Sequence, residues 1–475
     1  MGKPSVHPMG TIIYKPEKCF NGYTLFPASG HGATLIDMNG GVVNHWRNLQ
    51  GFPNKMLPGG QIFGSRGERN STYGWQDQKD LIQVDWDGKV VWEFNKNEYI
   101  EDPGYEPEWM ARQHHDFQRE GNPVGYYVPG MEPKVDSGNT LILTHIDVTV
   151  PQISLHPLCS DRMIEVDWEG NILWDWNVHE HFDELGFDEV AKNVMARNPN
   201  LVGNGHGDWM HINSMSVLGP NKWYDAGDER FHPDNIIWDG RETNIIAIIE
   251  KKTGKIVWRL GPDYSTGKAK EIGQIVGQHH AHMIPQGLPG AGNILIYDNG
   301  GWAGYGAPNP ASPTGNKNAT RDYSRVIEID PVKMEIVWQC RPMDLGYMQP
   351  FLADHFYSCY ISSAQRLPNG NTFITEGSDG RLFEVTPENE IVWEYHSPYF
   401  ADKGITTNMV YRAYRYPYDY VPQVEKPVEK AIAPVDNTDF RLPNAKSKEF
   451  RRMVEVEGVE GYEDVSGFCL TIEEE

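Results

Sequence analysis

No apolar run in the chain approaches the roughly 20 residues that a membrane-crossing helix needs, so no membrane association is expected. The opening stretch MGKPSVHPMGTIIYKPEKCF lacks the apolar centre of a secretory signal, and Val6 stands where N-myristoylation needs a hydroxyl residue. Both absences lead to an expectation of cytoplasmic residence. Cysteine is scarce: Cys19, Cys159, Cys340, Cys359 and Cys469 are scattered and form no CxxC pair. That argues against a disulfide framework and against a thiolate zinc site. Positive charge is short as well, with 42 Lys and Arg against 66 Asp and Glu, a net −24. Such a chain repels a phosphate backbone, so nucleic acid is not an expected partner.

What the chain has in quantity are turn formers and strand-favouring aromatics: 48 Gly, 33 Pro, 15 Trp and 23 Tyr. This composition points to an all-β protein with many tight turns. At 475 residues the chain outgrows one ordinary compact core unless it is built from repeats. Repeats are present. LIQVDWDGKVVWEF recurs as MIEVDWEGNILWDW, IIAIIEKKTGKIVWRL, VIEIDPVKMEIVWQC and LFEVTPENEIVWEY, with a weaker copy in ATLIDMNGGVVNHW. Each copy is an alternating apolar strand, a polar turn and a second strand carrying Trp, the pattern of a β-hairpin. The aligned residues are Trp46, Trp92, Trp174, Trp258, Trp338 and Trp393, expected as packing between repeats. A second turn-strand phrase (MLPGGQIFGS, DSGNTLILTH, GAGNILIYDN, LPNGNTFITEG) precedes most copies. Two hairpins per unit make a four-stranded sheet, and six units in series make a six-bladed β-propeller.

The propeller is expected over residues 1–419, with two insertions. Residues 183–197 have apolar positions at helical spacing with Asn198-Pro199 as a stop, and residues 300–320 are rich in Gly, Pro and Asn and read as a loop over one face. Residues 420–475 carry no repeat but hold apolar anchors such as Phe440, Leu442, Phe468 and Leu470. They are expected to form an arm on the propeller or on a second copy of the chain in a homo-oligomer.

The 17 histidines cluster just before the turn-strand phrases: His114 and His115 in QHHDFQREGN, His211 in DWMHINSM, and His279, His280 and His282 in GQHHAHMIPQG. Alignment on the turns puts His115, His279 and Ser362 at one repeat position, with His211 there or two residues earlier on the same strand face. In a propeller that position lines the central channel, so three imidazoles should converge. Two chemistries use such a cluster. Neutral imidazoles act as bases or nucleophiles near neutral pH. Alternatively, His115, His211, His279 and His280 hold iron or copper with an open position for an oxidation or lyase reaction. Asp116 and Asp208 are candidates to orient the rings. A non-catalytic scaffold is a third reading, and it leaves the clustered histidines unexplained. Arg366 and Arg381 are candidate forks for an anionic substrate group, with His282 and Asn213 as further candidate substrate contacts.

DWMHINSM, GQHHAHMIPQG followed by GNILIYDNG, YSRVIEID and SSAQRLPNGNTFITEG resemble the arylsulfotransferase family, over roughly residues 113–395. The resemblance implies a six-bladed propeller that moves a sulfuryl group between phenols through a sulfated histidine, with no cofactor. It implies that His211 and His279 are site residues; with His115 from the repeat alignment as a third, they are expected to act as nucleophile, acid and oxyanion stabilisers on a small phenolic substrate. Two departures stand out. The family arginine after DNG falls near Trp302 or Ala303, and the nucleophilic histidine falls in GSDGRLFE, where this chain has Arg381.

Overall fold

In a computed structural model the described residues are 9–401 and 407–434. Six antiparallel sheets are arranged as a β-propeller. From axis to rim, blade 2 runs Lys55–Leu57, Gln61–Gly64, Leu81–Val84 and Val90–Phe94; blade 4 runs Ile212–Val217, Ile236–Gly240, Ile245–Ile249 and Ile256–Leu260. Blade 3 begins with Gln113–Arg119 and extends through Thr140–Val148 and Leu158–Val166 to Ile172–Asn177. Blade 5 begins with His279–Met283, and blade 6 with Ser363–Arg366.

The ring is closed by both ends of the propeller segment. Tyr414–Tyr416 is the innermost strand of blade 1, beside Tyr23–Ala28. Gly10–Tyr14 adds a fifth strand to the rim of blade 6, against Ile391–His396. Blades 6 and 1 are therefore each completed from the opposite end of the chain.

All six aligned tryptophans do the same job. Each donates its indole N–H to a backbone carbonyl in the outer-hairpin turn of the next blade: Trp46 to Asp85, Trp92 to Trp168, Trp174 to Lys251, Trp258 to Pro331, Trp338 to Pro387 and Trp393 to Met38, at 2.7–3.1 Å. The ring packs between blades while its one polar atom is satisfied there, which is what a buried indole requires. The repeat is thus a packing unit and a clasp at once.

The first insertion contains the helix Glu189–Arg197, whose cap Asp188 accepts a hydrogen bond from the Ala191 N–H at 2.7 Å, preceded by a 3-10 segment over Val178–Glu184. The second is more ordered than its composition suggests. Ala303–Tyr305 pairs with Asn316–Ala319 in a two-stranded ribbon. Beside it, a Cβ on Gly301 would come within 1.8 Å of the Cys359 carbonyl oxygen, so the chain can pass there only as glycine. After the last inner strand, Ile432 exchanges backbone hydrogen bonds with Tyr14 at 2.8 and 2.9 Å, and Gln423 donates to the Gly59 carbonyl. The anchors Phe440, Leu442, Phe468 and Leu470 lie outside the described residues. Among the described residues no helix is long and apolar enough to cross a membrane.

Candidate functional site

The inner strands of blades 3, 4 and 5 do not run as regular ladders. Their pairing slips between Gln113 and Phe117, between Ile212 and Ser214, and between His279 and His282. Next to these bulges His115, His211 and His280 have φ of 53°, 51° and 56°. Left-handed backbone is strained for a residue with a Cβ, and bulges turn side chains out of the ladder's alternation. The histidines therefore do not follow one repeat position. Each bulge sets its own ring direction.

Two of the three expected rings meet. The His115 and His211 ring centroids are 4.6 Å apart in edge contact. Together with His279 they line a cleft of about 450 Å³ at one end of the axis. Phe52, Trp75, Tyr360, Met409 and Tyr411 supply apolar and aromatic walls, and Phe52 lies against Tyr411 at 4.4 Å.

The three histidines differ in what their nitrogens do. His211 Nδ1 is 2.5 Å from Asp208 Oδ2, and no hydrogen bond occupies its Nε2 among the described residues. Asp208 is fully buried. Burial alone would raise its pKa, but the facing His211 and the hydrogen bond to it hold the carboxyl below its ordinary range. It stays ionised, accepts from Nδ1–H, and leaves the Nε2 lone pair toward the cleft. His279 is spent. Its Nδ1 bonds Asn299 Oδ1 at 2.8 Å, and its Nε2 accepts from the Ile361 N–H at 3.0 Å. It positions the Tyr360–Ile361 wall and has no lone pair to offer. Burial, and then the neighbouring His211 and His114, push His115 well below the ordinary imidazole pKa, so it is neutral.

Arg241 is the cleft cation that sequence reasoning missed. It follows the second strand of blade 4, and its backbone N–H is held by the His211 carbonyl at 3.0 Å. Its Nη1 pairs with buried Glu242, which also has Lys317 from the inserted ribbon at 3.7 Å. Nothing in the repeat marked Arg241, because it sits in a turn that the hairpin pattern treats as filler. Its signal was the WDGRE turn directly across from HINS.

The other expected contacts lie elsewhere. Arg366 is buried against Glu328, and Arg381 against Glu376 and Glu394. Both are structural ion pairs and neither lines the cleft, whereas Arg241 does. Asn213 lies beneath the cleft floor, donating to the Gln278 carbonyl while its own carbonyl accepts from Arg412. Further along the axis the channel is sealed. Asp116 is held by Lys55 at 2.5 Å and by Arg412 at 3.0 Å. His282 bonds the Tyr126 hydroxyl at 2.8 Å, and His280 bonds the Ala364 carbonyl at 2.9 Å. His280 thus belongs to this plug and not to the His115–His211 pair.

Behind His115 a second group is buried within blade 3. His114 shares a 2.8 Å Nδ1–Nδ1 hydrogen bond with His115 and stacks on His145, with centroids 3.6 Å apart. Asp161 faces both rings, and Asp77 holds His145 from the far side.

A sequence profile described as Arylsulfotransferase (ASST) matches residues 132–412. No curated protein matches the chain. Among solved structures, the chain is similar to a protein of unknown function from Bacteroides caccae, at 12% identity over 83% of this chain and 99% of that one, with a TM-score of 0.42. It is also similar to a streptogramin B lyase (11% identity, 83% and 85% coverage, TM-score 0.34) and to a europium-containing methanol dehydrogenase (12%, 79% and 77%, 0.33). These likenesses are too distant to bear on chemistry.

Proposed function

Because the chain belongs to the arylsulfotransferase family, whose profile spans more than half of it, we propose that it transfers a sulfuryl group from an aryl sulfate to a second phenol in the His211 cleft. The observation that carries this reading is the Asp208–His211 dyad, whose unoccupied Nε2 opens into an aromatic-walled cleft beside Arg241. The nucleophile lacking in GSDGRLFE is supplied here by His211.

In the first half-reaction the Nε2 lone pair attacks sulfur. The N–S bond forms, the S–O(aryl) bond breaks, and the phenoxide leaves with the bonding pair and takes a proton from solvent at the cleft mouth. Asp208 offsets the positive charge that develops on the ring. Arg241 and Lys317 face the sulfuryl oxygens, where a preorganised cation stabilises charge without rearranging. In the second half-reaction a phenol oxygen attacks sulfur, N–S breaks, and the phenolic proton returns to solvent. His115, neutral and packed edge-on to His211, holds that ring's orientation.

The test is turnover of p-nitrophenyl sulfate with a phenol acceptor, combined with mass spectrometry of quenched enzyme. The expected result is release of p-nitrophenol and one SO₃ adduct on His211, both absent in His211→Asn. Absence of turnover and adduct across a panel of aryl sulfates overturns the reading.

A further inference from the structure

Two buried imidazole nitrogens without hydrogen-bond partners face one carboxylate in blade 3. They are His114 Nε2 and His145 Nε2, neither with a hydrogen-bond partner among the described residues, and Asp161 Oδ1, which faces both and accepts only the Ile212 N–H, while Asp161 Oδ2 has no partner. All three residues are at most 1% exposed. A buried polar atom left unpaired costs free energy, and two such nitrogens facing one carboxylate call for a common partner. Asp161 Oδ1 lies 3.5 Å from His114 Nε2 and 3.9 Å from His145 Nε2. Those separations exceed hydrogen bonds, at about 2.7–3.2 Å. They fall within the span of two ligands bound at roughly 2.0–2.2 Å to one ion. The ligand atoms of the trio lie within 4.8 Å of one another.

The surroundings prepare the donors. Asp77 Oδ1 lies 2.6 Å from His145 Nδ1, while its other oxygen is taken by Arg112 at 2.7 Å. Asp77 is thus already neutralised and acts as an orienting carboxylate. It holds the proton on Nδ1 and leaves the Nε2 lone pair facing Asp161, the arrangement that supports a metal-ligating histidine. Asp161 has no Lys or Arg partner among the described residues, and its Oδ1 accepts the Ile212 N–H at 3.0 Å. Cys159 also lies near His145, but on the side that Asp77 occupies.

We propose that His114, His145 and Asp161 form a buried site for one divalent first-row transition ion. Two imidazoles and one carboxylate are a donor set suited to such ions and poorly suited to calcium or magnesium. Capture requires the stacked rings to splay, so that both Nε2 lone pairs reach one centre. The site is distinct from the cleft but linked to it. An ion on His114 Nε2 leaves the ring proton on Nδ1, which donates to His115 Nδ1 and so places the His115 proton on its other nitrogen.

The test begins with elemental analysis of the full-length protein purified without chelator. About one equivalent of a transition metal is expected. The chelator-stripped protein is then titrated with Co²⁺, and the visible d–d absorption of nitrogen- and oxygen-bound cobalt should saturate near one equivalent. Asp161→Asn, close to isosteric, should weaken Co²⁺ binding by at least about 10-fold while keeping the far-ultraviolet circular dichroism of the wild type. Should that variant fail to fold, the wild-type cobalt spectrum decides alone. A wild-type protein with no bound metal and no d–d bands overturns the site, and so does a folded Asp161→Asn with undiminished affinity. None of these readouts depends on sulfuryl transfer, so this inference and the proposed activity stand or fall separately.

Discussion

The open cleft and the sealed channel beyond it are made from the same inner strands, yet their polar groups end differently. In the channel, Asp116 is gripped by Lys55 and Arg412, and His282 by Tyr126 and the His280 carbonyl. In the cleft, among the described residues, Asp208 orients His211 but nothing occupies the outward nitrogen, and Arg241 spends one nitrogen on Glu242 while the rest of its fork makes no hydrogen bond. Buried charge gripped by opposite charge builds a wall. The same residue types with one unfilled valence beside open volume build a reactive surface. The distinction lies in hydrogen-bond bookkeeping and not in composition, since histidine, carboxylate and arginine occur in both.

Four changes test that contrast. The largest effect is expected in the cleft. His211→Ala should lower sulfuryl turnover about 10³-fold or more, with the denaturant midpoint corresponding to a change within about 1 kcal/mol. A large stability loss would place His211 among the structural groups. Second, Arg412→Met should do the reverse. It removes a fully buried partner of Asp116 and of the Asn213 carbonyl, and urea unfolding should show a loss of about 3–5 kcal/mol.

Third, the channel should respond to acid. His282, driven by burial, has its pKa lowered from 6.5 to about 4. Its contribution is complete above 6.5 and is lost as pH falls through that interval, the loss reaching roughly 3 kcal/mol at the low end. His280 shifts in the same direction, again through burial. Asp239 opposes them, because burial raises its carboxyl from 3.8 to about 7 and its penalty therefore grows as pH rises. Unfolding free energy measured at pH 4.5 and pH 6.5 should therefore drop on acidification, and drop further in Asp239→Asn. An unchanged or smaller drop in that variant would contradict the assignment. The smallest effect is expected at the cleft rim, where Lys317 is 41% exposed. Lys317→Met should raise KM for an aryl sulfate by about 2–5-fold with kcat nearly unchanged, and the rise should shrink at high salt.

The blades were legible because their signal is local. A turn and a Trp within one hairpin recur six times, and the clasp each Trp makes needs only its own blade and the next. The His211 and His279 phrases were legible for the same reason. What escaped was carried by long-range geometry. Arg412 reaches the axis because the last inner strand completes blade 1, far from it in sequence. The bulges at His115 and His280 broke the register on which repeat alignment relies, moving His280 into the plug. His145 and Asp161 lie on the second and third strands of blade 3, where alternation suggested packing, and only the folded sheet sets them against His114. Arg366 and Arg381 looked available because their partners, Glu328 in the adjacent blade and Glu376 and Glu394 on the strands flanking Arg381, are set by pairing and packing that the linear pattern does not reveal.

The exchange of end strands between blades 1 and 6 has a consequence during synthesis. A ribosome releases Tyr23–Ala28 early, but the strand that must lie inside it, Tyr414–Tyr416, emerges nearly four hundred residues later. Until then blade 1 presents a bare inner edge, and Asp116 waits without Arg412, which leaves the ribosome just ahead of that strand. Blade 6 is the mirror case, since its rim strand Gly10–Tyr14 is made first and must be kept for it. The axis therefore matures last and all at once. Any chain that terminates before Arg412 carries every histidine of the cleft in its sequence and still lacks the cation that seals the floor beneath them.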